Sequence, residues 1–424
     1  MLKKVSKIIS GLKGEVVIPA DKSVSHRAVM FTSLAKGSSL IKNFSSGKDP
    51  HSTLEIFKQL GVTAKFIDEK TLKITSTGCL KAPLAPLDCG NSGTTMRLIS
   101  GILAGQNFNT QLIGDNSLSK RPMKRVIEPL ELMGAKINSV NGHAPLNITG
   151  TNLHSIDYTS KLASAQVKSC ILLAGLNADG TTSVTEPYVS RNHSELMLKY
   201  MGANIHVNGK TVNIQKSQLV SKTIDICGDI SSAAYFIVAG LIVPNSNIVL
   251  KNVGLNPTRT GILDVVKMMG GDVEILNEQT VSGELVGDLR IKTSELKACK
   301  ISGEIIPRLI DELPVIAVLA TQADGETIIR DAKDLRNKES DRISTTVKEL
   351  QKLGAEIDEL DDGFVINGEK ELSGGATLET YDDHRLAMSL YVAGLICKNP
   401  ISINGFEWAG ISFPEFEKSF IQLM

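Results

Sequence analysis

PLELMGAKINS, residues 129–139, has near-copies along the chain: IFKQLGVTAKF at 56–66, LKYMGANIHV at 198–207, VKMMGGDVEI at 266–275 and LQKLGAEID at 350–358. Each reads as the end of a helix, a Leu or Met, a glycine, and then the alternating apolar residues of a strand. The shared glycines, Gly61, Gly134, Gly202, Gly270 and Gly354, lie 68 to 84 residues apart. Glycine just past a helix takes the left-handed conformation without steric cost. The phrase therefore predicts helix, turn and strand at each occurrence. FIQLM at 420–424 reads as the helix end of a sixth copy.

A second phrase interleaves with the first: RAVMFTSLAKGSSL (27–40), LISGILAGQNF (98–108), CILLAGLNADGTTSV (170–184), YFIVAGLIVPNSNIVL (235–250), VIAVLATQADGETII (315–329) and LAMSLYVAGLICKNPISI (386–403). These segments are apolar nearly all round yet too short to span a membrane, which predicts buried helices, each followed by a strand. The unit is thus polar loop, buried helix, strand, loop, amphipathic helix, glycine and strands, with six copies in all. The fold class is α/β, and six copies split most simply into two domains of three. A doubly wound sheet is the competing architecture. It is disfavoured because here the helices, not the strands, are the most continuously apolar elements.

Bulk composition narrows the functional classes. The 424 residues are 42% hydrophobic and 22% charged, with 46 basic and 46 acidic side chains. Zero net charge argues against a nucleic-acid binder driven by bulk charge, though it leaves room for a local basic cleft. The six cysteines are scattered without a C-x-x-C pair, and the seven histidines lack metal-ligand spacing. Reduced, mostly buried thiols and no metal site are expected. The basic start MLKKVSKIISGLKG has no apolar core suited to a signal peptide, and no segment approaches a membrane span, so a soluble cytoplasmic protein is expected.

The helix starts carry the chemistry. Ahead of the buried helices stand PADKSVSHR, DCGNSGTTMR, YTSKLASAQVK, ICGDISSA, EIIPRLIDE and ETYDDHR. Ahead of the amphipathic helices stand GKDPHS, NSLSKRPMKR, EPYVSRNHSE, GLNPTRTG, RNKESDR and EWAGISFP. Nearly all pair N-cap residues with Lys or Arg. Unpaired N–H groups, the helix dipole and basic side chains together favour an anionic small molecule. Asp311, Glu312, Glu339, Asp382 and Asp383 fall in the same loops, either as ion-pair partners or as groups that move protons.

ADKSVSHR, CGNSGTTMRL, KRPM, SAQVKS, SRNHSE, GDISSAAYF, NPTRTG, IDELPVIAVLA, NKESDR and DDHRLAM, in this order, resemble the signature segments of the EPSP synthase (3-phosphoshikimate 1-carboxyvinyltransferase) family over almost the whole chain. R-x-H-x-E at 191–195, S-A-Q-V-K at 164–168 and N-x-T-R at 256–259 are similar to its class II branch, whereas Ala20 stands where that branch usually has glycine. The resemblance implies two domains, each of three βαβαββ units, with the active site in the cleft between them. The boundaries are placed at 1–19 with 229–424, and at 20–228. It implies transfer of the enolpyruvyl group of phosphoenolpyruvate to the 5-hydroxyl of shikimate 3-phosphate, through a tetrahedral intermediate that loses phosphate. It implies no metal or organic cofactor, and a protein that is usually monomeric.

Carried over by position, Lys22, Ser23, Arg27, Ser164, Ala165, Gln166, Arg191, Asp311 and Lys338 are implied to hold shikimate 3-phosphate, Ala165 through its backbone N–H alone. Lys22, Asn91, Gly93, Arg121, Gln166, Arg342 and Arg385 are implied to hold phosphoenolpyruvate, and Arg97 to support the loop at 88–95. Asp311 is the implied acceptor of the 5-hydroxyl proton. Glu339 with Lys22 is the implied proton shuttle at C3, and His384 orients this group. Some relatives carry a lysine just before the C-terminal FP; here Gly410, Ile411 and Ser412 occupy that place. The alternatives are a UDP-N-acetylglucosamine enolpyruvyl transferase, an RNA-end-processing enzyme built from related repeats, and a catalytically silent anion binder. The first places a reactive cysteine in the loop before RP, and GDNSLSKRP at 114–122 has none.

Overall fold

The structure, a computed structural model, describes residues 1–424. The chain divides into two compact units. One comprises Ala20–Cys227 with Thr280–Glu284; the other comprises Met1–Pro19, Gly228–Gln279 and Leu285–Met424.

The unit containing Ala20–Cys227 holds three four-stranded sheets of one design. In the sheet Leu87–Asp88, Asn109–Ile113, His143–Thr149, Lys136–Val140, the first pair is parallel and the others antiparallel. The sheet Asp157–Thr159, Thr181–Thr185, Thr211–Gln215, Ile205–Asn208 repeats this pattern. So does Thr223–Asp225, Gly37–Lys42, Leu72–Ser76, Thr63–Phe66. In this last sheet the parallel edge comes from the far end of the segment, so the third repeat closes onto the first. Between the two parallel strands of a repeat runs the buried helix, and before the hairpin runs the amphipathic one. This is the βαβαββ unit that the family resemblance implied, and it agrees with the helix–strand repeat.

The other unit follows the same plan with two substitutions. Lys13–Val17 supplies the parallel edge to Asn247–Gly254. Leu2–Val5 pairs antiparallel with Ile401–Asn404, where the other sheets place a strand of their own hairpin. The sixth sheet is therefore three-stranded, and its second helix, Phe416–Ile421, is only six residues long. Aromatic rings seat that helix: Phe236 stacks on Phe420 at 4.2 Å, and Phe416 meets Tyr391 edge-on at 5.4 Å. Such pairs add about 0.5–1.5 kcal/mol each beyond area burial.

All five repeat glycines lie at left-handed φ, between +81° and +94°, as the turn after each helix requires. The buried helices are Lys22–Leu34, Gly93–Ala104, Ala165–Gly175, Ile230–Ile242, Leu313–Ala320 and His384–Gly394. Every residue of Ile230–Ile242 and of Leu313–Ala320 is buried. All six cysteines are free; four are buried, Cys299 is intermediate and Cys79 exposed. No helix is long and apolar enough to cross a membrane.

Two buried helices approach closely at a glycine. A Cβ on Gly101 would fall 2.1 Å from the carbonyl oxygen of Cys170 on the neighbouring helix. Backbone cannot yield as a flexible side chain does, so Gly101→Ala should force the two helices apart. The expected cost is about 1–3 kcal/mol in denaturant unfolding. An unchanged midpoint would contradict this packing.

Candidate active site

Part of the candidate site sits at or just after the start of a buried helix, where cap chemistry places it, and Arg121, Arg191, Lys338, Glu339 and Arg342 sit ahead of or at the start of amphipathic helices. In the unit containing Ala20–Cys227, Asp21 caps Lys22–Leu34 by accepting the Val24 N–H at 2.8 Å. The next residue, Lys22, places its ammonium 3.1 Å from Asp49. One turn further, Arg27 is only 2% exposed. Its guanidinium donates to Ser194 Oγ at 2.8 Å, Ser169 Oγ at 3.0 Å and the Ser23 carbonyl at 3.0 Å. Burial lowers its pKa to about 10, against the opposing pull of the Glu195 carboxylate.

Ser92 caps Gly93–Ala104, accepting the Thr95 N–H at 3.1 Å. Gly93 lies beneath two guanidinium groups, since a Cβ there would stand 3.1 Å from Arg97 Nη1 and 3.4 Å from Arg121 Nη1. Arg121 donates to Asn91 Oδ1 at 2.8 Å, and Asn91 donates to Asp115 at 2.8 Å. Arg97 donates to Gln166 Oε1 at 2.7 Å, while Gln166 donates to Thr94 Oγ1 at 3.0 Å. The start of the second buried helix thus joins that of the third. There Ser164 is the cap and Ala165 the first helical residue. Arg191 follows Ser190 in the half-buried loop ahead of His193–Tyr200.

In the other unit, Asp383 organises the equivalent position. It caps His384–Gly394 by accepting the Arg385 N–H at 2.9 Å, and it is fully buried. Its carboxylate also accepts from Arg342 Nε at 2.8 Å and from Ser340 Oγ at 3.1 Å. Arg342 reaches further: Nη2 lies 2.6 Å from Glu339 and Nη1 3.3 Å from Asp311. With a second bond to Asp383, these hydrogen bonds engage four of its five N–H groups. Burial opposes the Arg342 charge, but Asp383 and Glu339 more than offset it and hold its pKa above the usual arginine value.

Asp311 therefore sits among three cations, with Arg342 at 3.3 Å, Lys338 at 3.7 Å and Arg385 at 3.9 Å. The adjacent Glu312 lies 3.9 Å from Arg385 and accepts from Ser231 Oγ. Burial opposes the Arg385 charge as well, and Asp311, Tyr235 and Glu312 offset it, so this pKa too is raised. Gly410, Ile411 and Ser412 are half-buried at the end of a 3₁₀ turn, and a Cβ on Gly410 would meet nothing within 4 Å. No cluster of three or more His, Cys, Asp or Glu side chains is arranged to hold a metal ion.

Residues 6–420 match the profile of the EPSP synthase (3-phosphoshikimate 1-carboxyvinyltransferase) family. A 3-phosphoshikimate 1-carboxyvinyltransferase of Bacillus licheniformis is 51% identical over 415 residues, covering 96% of both chains. The chain belongs to the EPSP synthase family. A second relative of the same name, from a Thermoanaerobacter species, is also 51% identical and covers 97% of this chain and 98% of its own. The solved EPSP synthase of Acinetobacter baumannii superposes with a TM-score of 0.90 at 40% identity, covering 100% of this chain and 98% of that one. The enolpyruvyl transferase NikO of Streptomyces tendae, at 18% identity and a TM-score of 0.81, covers 100% of this chain and 97% of its own and shares the fold.

Within this EPSP synthase family member the structure adds residues to which the motifs assigned no role. Asp49 partners Lys22, and Lys168 pairs with both Glu186 and Glu195 at 2.8 Å. Arg259 bonds Asp229 at 3.1 Å and Ser231 at 2.5 Å. A lysine inside the apolar phrase SAQVKSCILLAG was the available signal for the second of these, because a buried ammonium requires carboxylates.

The Asp383 carboxylate yields a pH test. Burial raises its pKa, but the charge and hydrogen bonds of Arg342, with His384, together outweigh this and the net shift is downward from 3.8. A depressed carboxylate contributes stability above its unfolded pKa and loses it as pH falls through the folded value. Asp383→Asn should cost about 3–5 kcal/mol at pH 7, the price of breaking a buried ion pair. That deficit should shrink below about pH 3.8 in unfolding titrations. A deficit of constant size would contradict the pairing.

Proposed function

We propose that this protein transfers the enolpyruvyl group of phosphoenolpyruvate to the 5-hydroxyl of shikimate 3-phosphate, a step in aromatic amino-acid biosynthesis. In this reading the 5-hydroxyl oxygen attacks C2 of phosphoenolpyruvate and C3 gains a proton. The tetrahedral intermediate then loses phosphate and the C3 proton, leaving an enolpyruvyl ether. The observation that carries it is Asp311, a carboxylate held among Lys338, Arg342 and Arg385, with Glu339 on the same Arg342 guanidinium. Three cations lie within 4 Å of Asp311, so a carboxylate that can accept the 5-hydroxyl proton stands beside the positive charge that two anionic substrates need.

The remaining roles follow the same chemistry. Ser23, Arg27, Ser164, Ala165, Gln166, Arg191 and Lys338 hold the acceptor and its phosphate. Asn91, Gly93 and Arg121 receive phosphoenolpyruvate at the start of Gly93–Ala104, where free N–H groups favour an anion. Gln166 and Lys22 serve both substrates. Glu339 and Lys22 move the C3 proton, and His384 orients them. Arg385 is the principal clamp on phosphoenolpyruvate, because Arg342 has one N–H left to offer. Residues 1–19 with 229–424, and residues 20–228, act as the two domains, a reading supported by the compact units. The protein works as a cytoplasmic monomer, which light scattering after size exclusion would check.

Phosphate release from phosphoenolpyruvate tests the assignment, with EDTA present and no added metal. Release with shikimate 3-phosphate and none with UDP-N-acetylglucosamine is the expected result. Release with the nucleotide sugar alone would make the acceptor wrong, and release with neither from folded protein would favour a binding protein. Asp311→Ala should keep the fold and lower kcat by about 10²–10⁴-fold, the usual contribution of a general base. Full activity in that variant would remove Asp311 from the role.

A further inference from the structure

Glu186 is assigned no substrate contact of its own, yet it bonds to both segments that supply the acceptor grip. Its Oε1 accepts the backbone N–H of Ser164 at 2.9 Å. Its Oε2 accepts the Ser190 hydroxyl at 2.8 Å and the Ser190 N–H at 3.3 Å. Ser164 opens the helix Ala165–Gly175, and Ser190 immediately precedes Arg191. We propose that Glu186, neutralised by Lys168, is a positioning residue that holds Ser164–Gln166 and Arg191 in register for the acceptor substrate. The proposal rests on the shikimate 3-phosphate assignment above.

The charge arrangement supports it. Lys168 is 2% exposed, and its ammonium lies 2.8 Å from Glu186 Oε2, 2.8 Å from Glu195 Oε1 and 3.3 Å from the Ser190 carbonyl. It follows Ser164 by about one helical turn. The helix that begins with the grip therefore also carries the counter-ion that fixes the second loop. Burying two carboxylates and an ammonium is a poor route to stability, since apolar side chains of the same volume often serve as well. The bonds to two separate loop backbones are what an apolar replacement would not reproduce. Ser169 Oγ and Ser194 Oγ meet at 2.6 Å, and both accept from Arg27, so the same two helices are joined again one residue further along.

Steady-state kinetics of Glu186→Gln test this. The amide keeps the volume but cannot accept from Ser190 and pair with Lys168 through two oxygens. KM for shikimate 3-phosphate should rise on the order of ten-fold or more, because small misplacements of positioning groups are costly. KM for phosphoenolpyruvate and kcat should change by less than about three-fold, as expected when only ground-state binding of one substrate is lost. In Glu186→Gln the Lys168 ammonium keeps Glu195 as its partner, so no buried charge is left unpaired. Assayed well below the unfolding midpoint of the variant, the selective rise in KM for shikimate 3-phosphate should persist. A KM that returns to the wild-type value at such temperatures would mean a purely structural role and overturn the proposal. An unchanged KM in the single variant, or equal effects on both substrates, would overturn it as well. If Glu186→Gln is insoluble, Ser190→Ala decides, with a selective rise in the same KM supporting the proposal and no rise overturning it. Wild-type protein that releases no phosphate with shikimate 3-phosphate would instead overturn the functional assignment itself.

Discussion

A helix that is apolar on every face can be buried only if its first turn is satisfied where it stands. Four N–H groups at its start have no partner within the helix. Five of the six buried helices meet this need with a side-chain cap: Asp21, Ser92, Ser164, Asp229 and Asp383 each accept a backbone N–H of the following turn. Several of the candidate site residues are the neighbours of those caps. Lys22 follows Asp21, Gly93 follows Ser92, Ala165 follows Ser164, and His384 with Arg385 follow Asp383. The requirement that lets the cores form thus also sets polar and charged groups at the helix starts.

The caps do more than end a helix. Asp383 accepts from its own helix and from Arg342, and Arg342 then holds Glu339 and Asp311. Ser164 caps with its hydroxyl while its own N–H is held by Glu186. Arg97, buried on one helix, bonds Gln166 on the next. Each repeat start is therefore tied to another repeat of its own unit, by charge in one unit and largely by hydroxyl, amide and guanidinium groups in the other.

The repeat was legible because its signals are local. A glycine past a helix end is required by backbone conformation, and Gly61, Gly134, Gly202, Gly270 and Gly354 all adopt the positive φ that the phrase demanded. Helices apolar all round announce burial in the same way. The edge strands were not legible, because Lys13–Val17 pairs with Asn247–Gly254 and Leu2–Val5 with Ile401–Asn404, at separations no local pattern records. The motifs named candidate site residues but not their supports. Asp49 and Glu186 read as ordinary loop carboxylates until the fold sets them against Lys22 and Lys168. The resemblance implied a phosphoenolpyruvate contact for Arg342, and only the structure reveals how many of its N–H groups carboxylates already hold.

The central claim is that residues beside the helix caps hold the acceptor. The most direct measurement is a crystal structure of the protein with shikimate 3-phosphate bound. The account predicts the phosphate on Ser164, the Ala165 N–H and Gln166, with Ser23, Arg27 and Arg191 completing the grip. A phosphate bound away from the start of Ala165–Gly175, in a complex that still turns over, would contradict it.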